Sequence, residues 1–394
     1  MRKLSNNTKY DFKFKYLINY CIVLVLLGLG LALMFTGGLK MSFARLLTQI
    51  GFSIILAVSL NLVVGFLGEL SLGHAGFMCI GAYIGGFFGN LLSNYIGSKF
   101  LVLVLTMIIG GALASVFGFI IGLPSLRLKG DYLAIVTLAF GEIVRNIFKN
   151  QKAFGGAMGL STGKIQFDSR NNMTLFIVTF AVALIMLFVL QNLVRSKHGR
   201  AITAIRDNEI AAKAMGINVT FYKLLAFIVA SFFAGVAGVI YAHYTTPVSY
   251  TFFSYNYSIE ILVMVVLGGM GNITGSIIAA TLISCVNFFL QSRLSGDLAA
   301  LRYLIYALVL IFIIIFSNAP ALRPFKEKYG IAALSEKIKN VFRKKSKPFN
   351  PAVIKEDEGS WDRIPTKIDM DALLSTDINP DTPDEQEGAD KKSD

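Results

Sequence analysis

Between residues 17 and 317 the sequence repeatedly turns apolar for long stretches, such as YLINYCIVLVLLGLGLALMF at 16–35 and MTLFIVTFAVALIMLFVLQNLV at 173–194. A helix rises about 1.5 Å per residue, so about 20 apolar residues cross the roughly 30 Å of hydrocarbon in a bilayer. Backbone that faces lipid must satisfy its own hydrogen bonds, and these runs are too long and uniform for barrel strands. The fold expected is therefore an all-α polytopic membrane protein. Its spans are read near 17–35, 46–67, 72–92, 100–123, 131–148, 173–194, 223–243, 258–269, 275–291 and 301–317, about ten, some of them short or broken.

Charge orients the spans. Basic residues crowd residues 1–16, the 124–131 loop (Arg127, Lys129), the 195–223 stretch with six Lys or Arg, and 322–347 with nine. Cytoplasmic loops carry such excess, so all four belong on the cytoplasmic side, together with both termini. An even number of crossings satisfies this if GGMGNITG, 268–275, separates two crossings. Lys40 and Arg45 then fall on the outer side. The first run resembles the start of a signal peptide, but it is longer than such a core and lacks an A-x-A cleavage site. An uncleaved first helix fits better.

Composition closes several other routes. Charged residues are 15% of the chain against 55% hydrophobic. The net charge of +13 lacks the basic stripe with interleaved aromatics that would track phosphates, so nucleic acid is not an expected partner. Cys21, Cys79 and Cys285 lie in apolar runs without metal or redox spacing. From Pro351 the composition turns acidic and core-poor, with 13 acidic and four basic side chains in 356–394, which predicts a disordered tail after a basic segment at 318–350. No phosphate-binding glycine loop, HExxH, GxSxG or paired-carboxylate arrangement stands in a supporting context, so the chain is expected to be no enzyme and to hold no cofactor or metal.

Three stretches are candidates for function. In GFLGELSLGHAGFMCIGAYIGGFFG, 65–89, Gly81, Gly85 and Gly89 recur every fourth residue and make a face that another helix can approach closely. The ELSLGH segment beside it, between glycines, is a candidate helix break. An ionisable group within a span is costly, so Glu69 and His74, with Gly73, are candidates for a translocation path. Glu69 at the cytoplasmic mouth and His74 in one structural hydrogen bond are the alternatives. In DYLAIVTLAFGEIVRNIFK, 131–149, Thr137 and Arg145 share a side, and Glu142 can pair with Arg145, as a polar lining or as a structural pair at the interface. Gly268, Gly269 and Gly271 mark the second candidate break.

The third stretch is polar. Placed on a helix, Ile202, Ile205, Glu209, Ala212 and Gly216 recur at three and four and share a face, flanked by Arg206 and Lys213. Alanine and glycine leave that face shallow, as suits docking of a protein. A helix in the headgroup layer is the alternative, but the apolar face is thin for that role.

SLNLVVGFLGELSLGHAGFMCIGAYIGG (59–86), LRLKGDYLAIVTLAFGEIVRNI (126–147), RAITAIRDNEIAAKAMGINVTFYKLLAF (200–227) and VLGGMGNITGSIIAA (266–280) together resemble the LivM-type permease of branched-chain amino acid ABC importers. The resemblance runs in order through residues 17–317. It implies a pore-forming subunit in the cell membrane that pairs with a second, LivH-type permease, two cytoplasmic ATPases carrying the ATP and Mg, and an extracellular substrate-binding protein. EIAAKAMG is similar to the coupling loop of such permeases, which would give Ile205, Arg206, Glu209, Ala212, Lys213 and Gly216 contact with an ATPase. The acidic tail departs from the pattern. Urea, short amides, other amino acids or nucleosides remain alternative solutes, and a stand-alone secondary transporter or channel is the rival from another class.

Overall fold

The computed structural model describes residues 18–32, 41–125, 130–167 and 172–293, with Leu308 and Ile311. The basic N-terminus, the Arg127 and Lys129 loop, most of the expected tenth span at 301–317, and the segments 318–350 and 351–394 lie outside the described residues. The chain divides into two units, Met1–Ala319 and Pro320–Asp394, and all described residues belong to the first.

The described residues are helical, without a β-strand; an isolated antiparallel bridge joins Leu160 to Val248. The helices are α1 (Ile18–Ala32), α2 (Met41–Asn61), α3 (His74–Leu92), α4 (Lys99–Ser125), α5 (Asp131–Asn150) and α6 (Asn172–Arg195). Two short ones follow, α7 (Lys197–Asp207) and α8 (Glu209–Ala214), and then α9 (Val219–Tyr244), α10 (Tyr255–Gly268) and α11 (Ile273–Arg293). Segments within α2 to α4, α6, α9 and α11 are long and apolar enough to cross a membrane; α1 and α10 are shorter apolar helices. The 20 residues of α5 would span by length, but it carries Asp131, Glu142, Arg145 and Lys149 along it.

At the centre stands α2, where Phe52, Ile54, Ile55 and Leu56 are all buried. It packs against α6, α9, α10 and α11. On its other side α9 forms a close three-helix group with α3 and α4. Glycine makes this group possible. A Cβ on Gly81 would stand 2.0 Å from the carbonyl oxygen of Gly235, one on Gly238 2.0 Å from that of Met78, and one on Gly85 2.5 Å from Val239 Cγ2. The glycine face read from the sequence thus meets α9 at Gly81 and Gly85. Gly89 differs: it meets Ile165, in the connection between α5 and α6. The outward faces remain apolar, as on α4, where Leu101, Leu105, Ile108, Val116, Phe119, Ile120 and Leu123 are exposed at helical spacing, the pattern of a face turned to lipid. The first helix is tied in by Asn19, which is buried and accepts from the Thr274 hydroxyl of α11.

Three boundaries differ from those read in the sequence. Helix α2 starts at Met41, which places Arg45 in its first turns instead of an outer loop. Helix α9 starts at Val219, four residues early, and so puts Lys223 a turn inside the helix instead of at its first residue. The stretch read as one amphipathic helix at 199–218 is two helices, interrupted at Asn208, whose backbone is extended at φ −159° and ψ 106°.

Candidate functional site

Two backbone breaks lie close together at one end of the bundle. The first closes α2. After Asn61 the helix loosens to a π turn, Leu62–Leu67, and Gly68 stops it at φ +82°, a left-handed conformation that favours glycine. Unwound chain then runs to Gly73, and α3 begins at His74. The second break lies between α10 and α11, where Gly269 and Gly271 take φ +89° and +78°. The GGMGNITG stretch therefore separates two helices, as its glycines indicate. Gly268 is in van der Waals contact range of Gly275 across the turn, since a Cβ on Gly268 would stand 2.4 Å from the Gly275 carbonyl carbon.

Asn61 joins the breaks. Fully buried, it accepts from the Gly271 amide at 2.9 Å and donates to Ser276 Oγ at 2.9 Å. A buried amide so bonded on both ends fixes register, because leaving either end unpaired costs about 1–3 kcal/mol.

The unwound segment and the first turn of α3 find partners on several helices, as buried backbone must. The Leu72 amide donates to Thr137 Oγ1 of α5 at 3.0 Å, and Thr137 passes its own proton to the Ala134 carbonyl. Gly73 lies so close to Thr137 that a Cβ would stand 2.5 Å from the Thr137 carbonyl oxygen. The Ala75 amide donates to Ser258 Oγ of α10 at 3.1 Å. His74 is buried, and its Nε2 lies 2.8 Å from Ser59 Oγ. The Ser59 proton goes to the Leu56 carbonyl, so Nε2 is the protonated nitrogen and donates to Ser59. His74 is thus engaged in the structural hydrogen bond foreseen as its alternative. Ser71 Oγ, buried in the same segment, has no hydrogen-bond partner among the described residues.

The α7–α9 segment closes over this end, and three side chains punctuate it. Ser196, Asn208 and Asn218 cap α7, α8 and α9, accepting from Gly199 and His198, from Ala211 at 3.0 Å and from Phe221 at 3.1 Å. Each such cap stabilises its helix by about 1 kcal/mol. Ile202 and Ile205 are buried under α7, and Arg206 donates to the Gly65 carbonyl at 3.0 Å, inside the π turn. Arg206 also pairs with Asp207 at 3.0 Å.

A buried lysine holds the remainder. Lys223, 2% exposed, lies 2.5 Å from Glu69 Oε1 and 3.2 Å from Glu209 Oε2. Glu69 belongs to the unwound segment and Glu209 opens α8, so three separate elements meet at one ammonium. The sequence reading missed Lys223 by counting it as a loop charge. The signal was present: TFYKLLAF places a lysine against apolar residues on both sides, and a buried lysine needs a counter-charge.

The face expected to dock a partner through Glu209, Ala212 and Gly216 is turned inward at its first two residues, and Gly216 lies past the end of α8. Ala212 is buried and Glu209 faces inward to Lys223. What α8 presents outward is Ile210, 78% exposed, Met215, 82% exposed, and Lys213. Gly216 closes α8 at φ +79°, and nothing lies within 4 Å of where its Cβ would stand.

On α5, Glu142 and Arg145 pair at 2.6 Å, and Glu142 Oε1 also accepts from the Tyr255 amide, capping α10 from the side at 3.0 Å. This pair stands apart from Lys223. A further carboxylate that the sequence reading passed over, Glu260 of α10, accepts from the Asn287 amide of α11.

These features define a class: a multi-pass helical membrane protein with two broken helices at one end and a short capped helix pair laid over them. Within that class, the chain belongs to the permease-component family of branched-chain amino acid transport systems, whose family model matches residues 42–314. It is 38% identical over 261 residues to the "High-affinity branched-chain amino acid transport system permease protein LivM" of Salmonella typhimurium and likewise to that of Escherichia coli, covering 58% of this chain and 59% of each relative. It is 31% identical over 271 residues to the "Probable branched-chain amino acid transport permease protein LivM" of Methanocaldococcus jannaschii, covering 59% of this chain and 76% of that one. The chain thus spans about three fifths of the length of the two bacterial relatives. No solved structure matches it.

Proposed function

We propose that this chain is the membrane-spanning permease subunit of an ABC importer that brings branched-chain amino acids, or a similar small solute, into the cell. In this reading ATP and Mg bind on two partner ATPases at the cytoplasmic face, and the chain pairs with a second, LivH-type permease and receives solute from an extracellular binding protein. The observation that carries it is the α7–α8 pair, held against both broken helices while α8 turns Ile210, Lys213 and Met215 outward. That arrangement suits a lever that a partner pushes from one side and that pulls on the path from the other. The same end is then cytoplasmic, in keeping with its basic residues.

The unwound segment 68–73 with its unpartnered Ser71 hydroxyl, and the Glu142–Arg145 pair on α5, are the places where a polar solute would find partners within the bundle. Urea, amides, other amino acids or nucleosides remain the alternative solutes. The rival reading, a stand-alone secondary transporter or channel, has one observation in its favour: the Glu260 carboxylate on the apolar helix α10, which a proton-coupled carrier could use.

The test is association. Exposed apolar side chains on a short helix outside the bilayer anchor a partner, and placing a charge among them removes the contact. Met215→Glu, at a side chain 82% exposed, should abolish copurification with the partner ATPases while membrane insertion stays normal. Undiminished copurification in Met215→Glu together with Ile210→Glu would refute α8 as the docking element.

A further inference from the structure

We propose that Lys223 is a positioning residue that couples the two moving parts of this end, and that Glu209 is its releasable arm. This rests on the importer reading and says how force would pass from α8 to the solute path.

The geometry distinguishes the two carboxylates that share the lysine. Glu69 is the closer partner, at 2.5 Å, with a side chain 14% exposed; Glu209 is at 3.2 Å and 33% exposed. Lys223 sits in α9, whose neighbours on α3 and α4 approach through backbone-tight glycine contacts further along the helix, so its backbone is the fixed part and its ammonium the part that can lean to either carboxylate. Glu69 follows the left-handed Gly68, its amide bonded to the Val63 carbonyl at 3.1 Å as the last tie to the π turn before the chain unwinds, and Glu209 opens a six-residue helix. A lysine at this depth cannot be left without a counter-ion at tolerable cost, and one carboxylate suffices for that. The second therefore has another use.

Pulling α8 outward separates Glu209 from Lys223 where water can re-solvate the carboxylate, while Glu69 keeps the lysine neutralised. The competition for the ammonium ends, and Lys223 shifts wholly to the unwound segment. Pushing α8 inward restores the shared state. The positions of α8 and of 68–73 become linked through one side chain, with Arg206 on the Gly65 carbonyl as the hinge that keeps α7 in place.

The experiment uses the complex of this chain with its ATPases and partner permease reconstituted in proteoliposomes, and reads solute moved per ATP hydrolysed. Glu209→Gln should lower that ratio by about fivefold or more, a typical size for coupling between two sites. Glu209→Asp, which keeps the charge on a shorter arm, should recover part of it. In a Lys223→Met background the Glu209→Gln change should add nothing further, since both act through one link. A ratio unchanged in Glu209→Gln, equal losses in Gln and Asp, or a loss of the same factor in the Lys223→Met background overturns the proposal. Should Lys223→Met not assemble, the Gln and Asp comparison decides. A purely structural ion pair would lower the melting temperature of the complex and leave the ratio alone. If the unsubstituted chain joins no ATPase, the importer reading itself falls, and this inference with it.

Discussion

The charged residues inside the bundle are few and nearly all are answered by another charge. Lys223 has Glu69 and Glu209, and Arg145 has Glu142. Glu260 differs, for its described partner is the neutral amide of Asn287. A proton-driven carrier would need such a carboxylate to release and take up a proton, whereas an ATP-driven one needs only the hydrogen bond. Glu260→Gln keeps an acceptor for Asn287, so uptake should remain within about twofold of the unsubstituted chain; loss of uptake to background with normal membrane levels would favour the proton-coupled rival. Charged residues were also where the sequence was hardest to read. Glu142 and Arg145 are three apart on one helix and their pairing is legible. Glu69 and Lys223 are 154 positions apart, and no local pattern could have joined them. Asn208, by contrast, carried a readable signal, an asparagine just before Glu209 in DNEI, the position of an N-cap; helical periodicity through Gly216 obscured it.

At the scale of elements, apolar length located the described spans to within a few residues, because hydrocarbon thickness imposes it. The glycine spacing in α3 likewise foretold a close partner, though not which one. Where the backbone departs from the α-helix the record is mixed. The glycines at 268–271 announced their break, but the π turn at 62–67 lies in LVVGFL, which reads as ordinary span, and it depends on tertiary bonds from Arg206 and Asn61. The α3–α9 contact is sensitive to a single methyl. Gly81→Ala forces a Cβ toward the Gly235 backbone, which cannot swing aside, and should cost about 1–3 kcal/mol or more. Gly28→Ala, with nothing within 4 Å of its Cβ, should cost nothing measurable. Thermal unfolding of the two variants in detergent makes the comparison; equal melting temperatures would mean that α3 and α9 do not meet at Gly81.

For the whole molecule, the family match covers 42–314 and leaves the basic and acidic C-terminal segments outside it. Those segments hold little apolar surface, so the membrane unit does not need them for its core. Removing residues 352–394 should leave insertion and uptake nearly intact, and uptake at background from a normally inserted truncated chain would give the tail an essential role. Within the membrane unit the dependence runs the other way. Asn61 is bonded to Gly271 and Ser276, 210 and 215 positions further on. A ribosome adds about 5–20 residues per second, so the end of α2 is in place some 10–40 s before either partner has been made. Throughout that interval a polar amide near the end of a span has nothing native to bond to. The nascent chain must therefore keep α2 close to water or to the insertion machinery until α11 arrives, which makes the closing of the two breaks a late step of biogenesis and a point at which an unfinished chain is exposed to quality control.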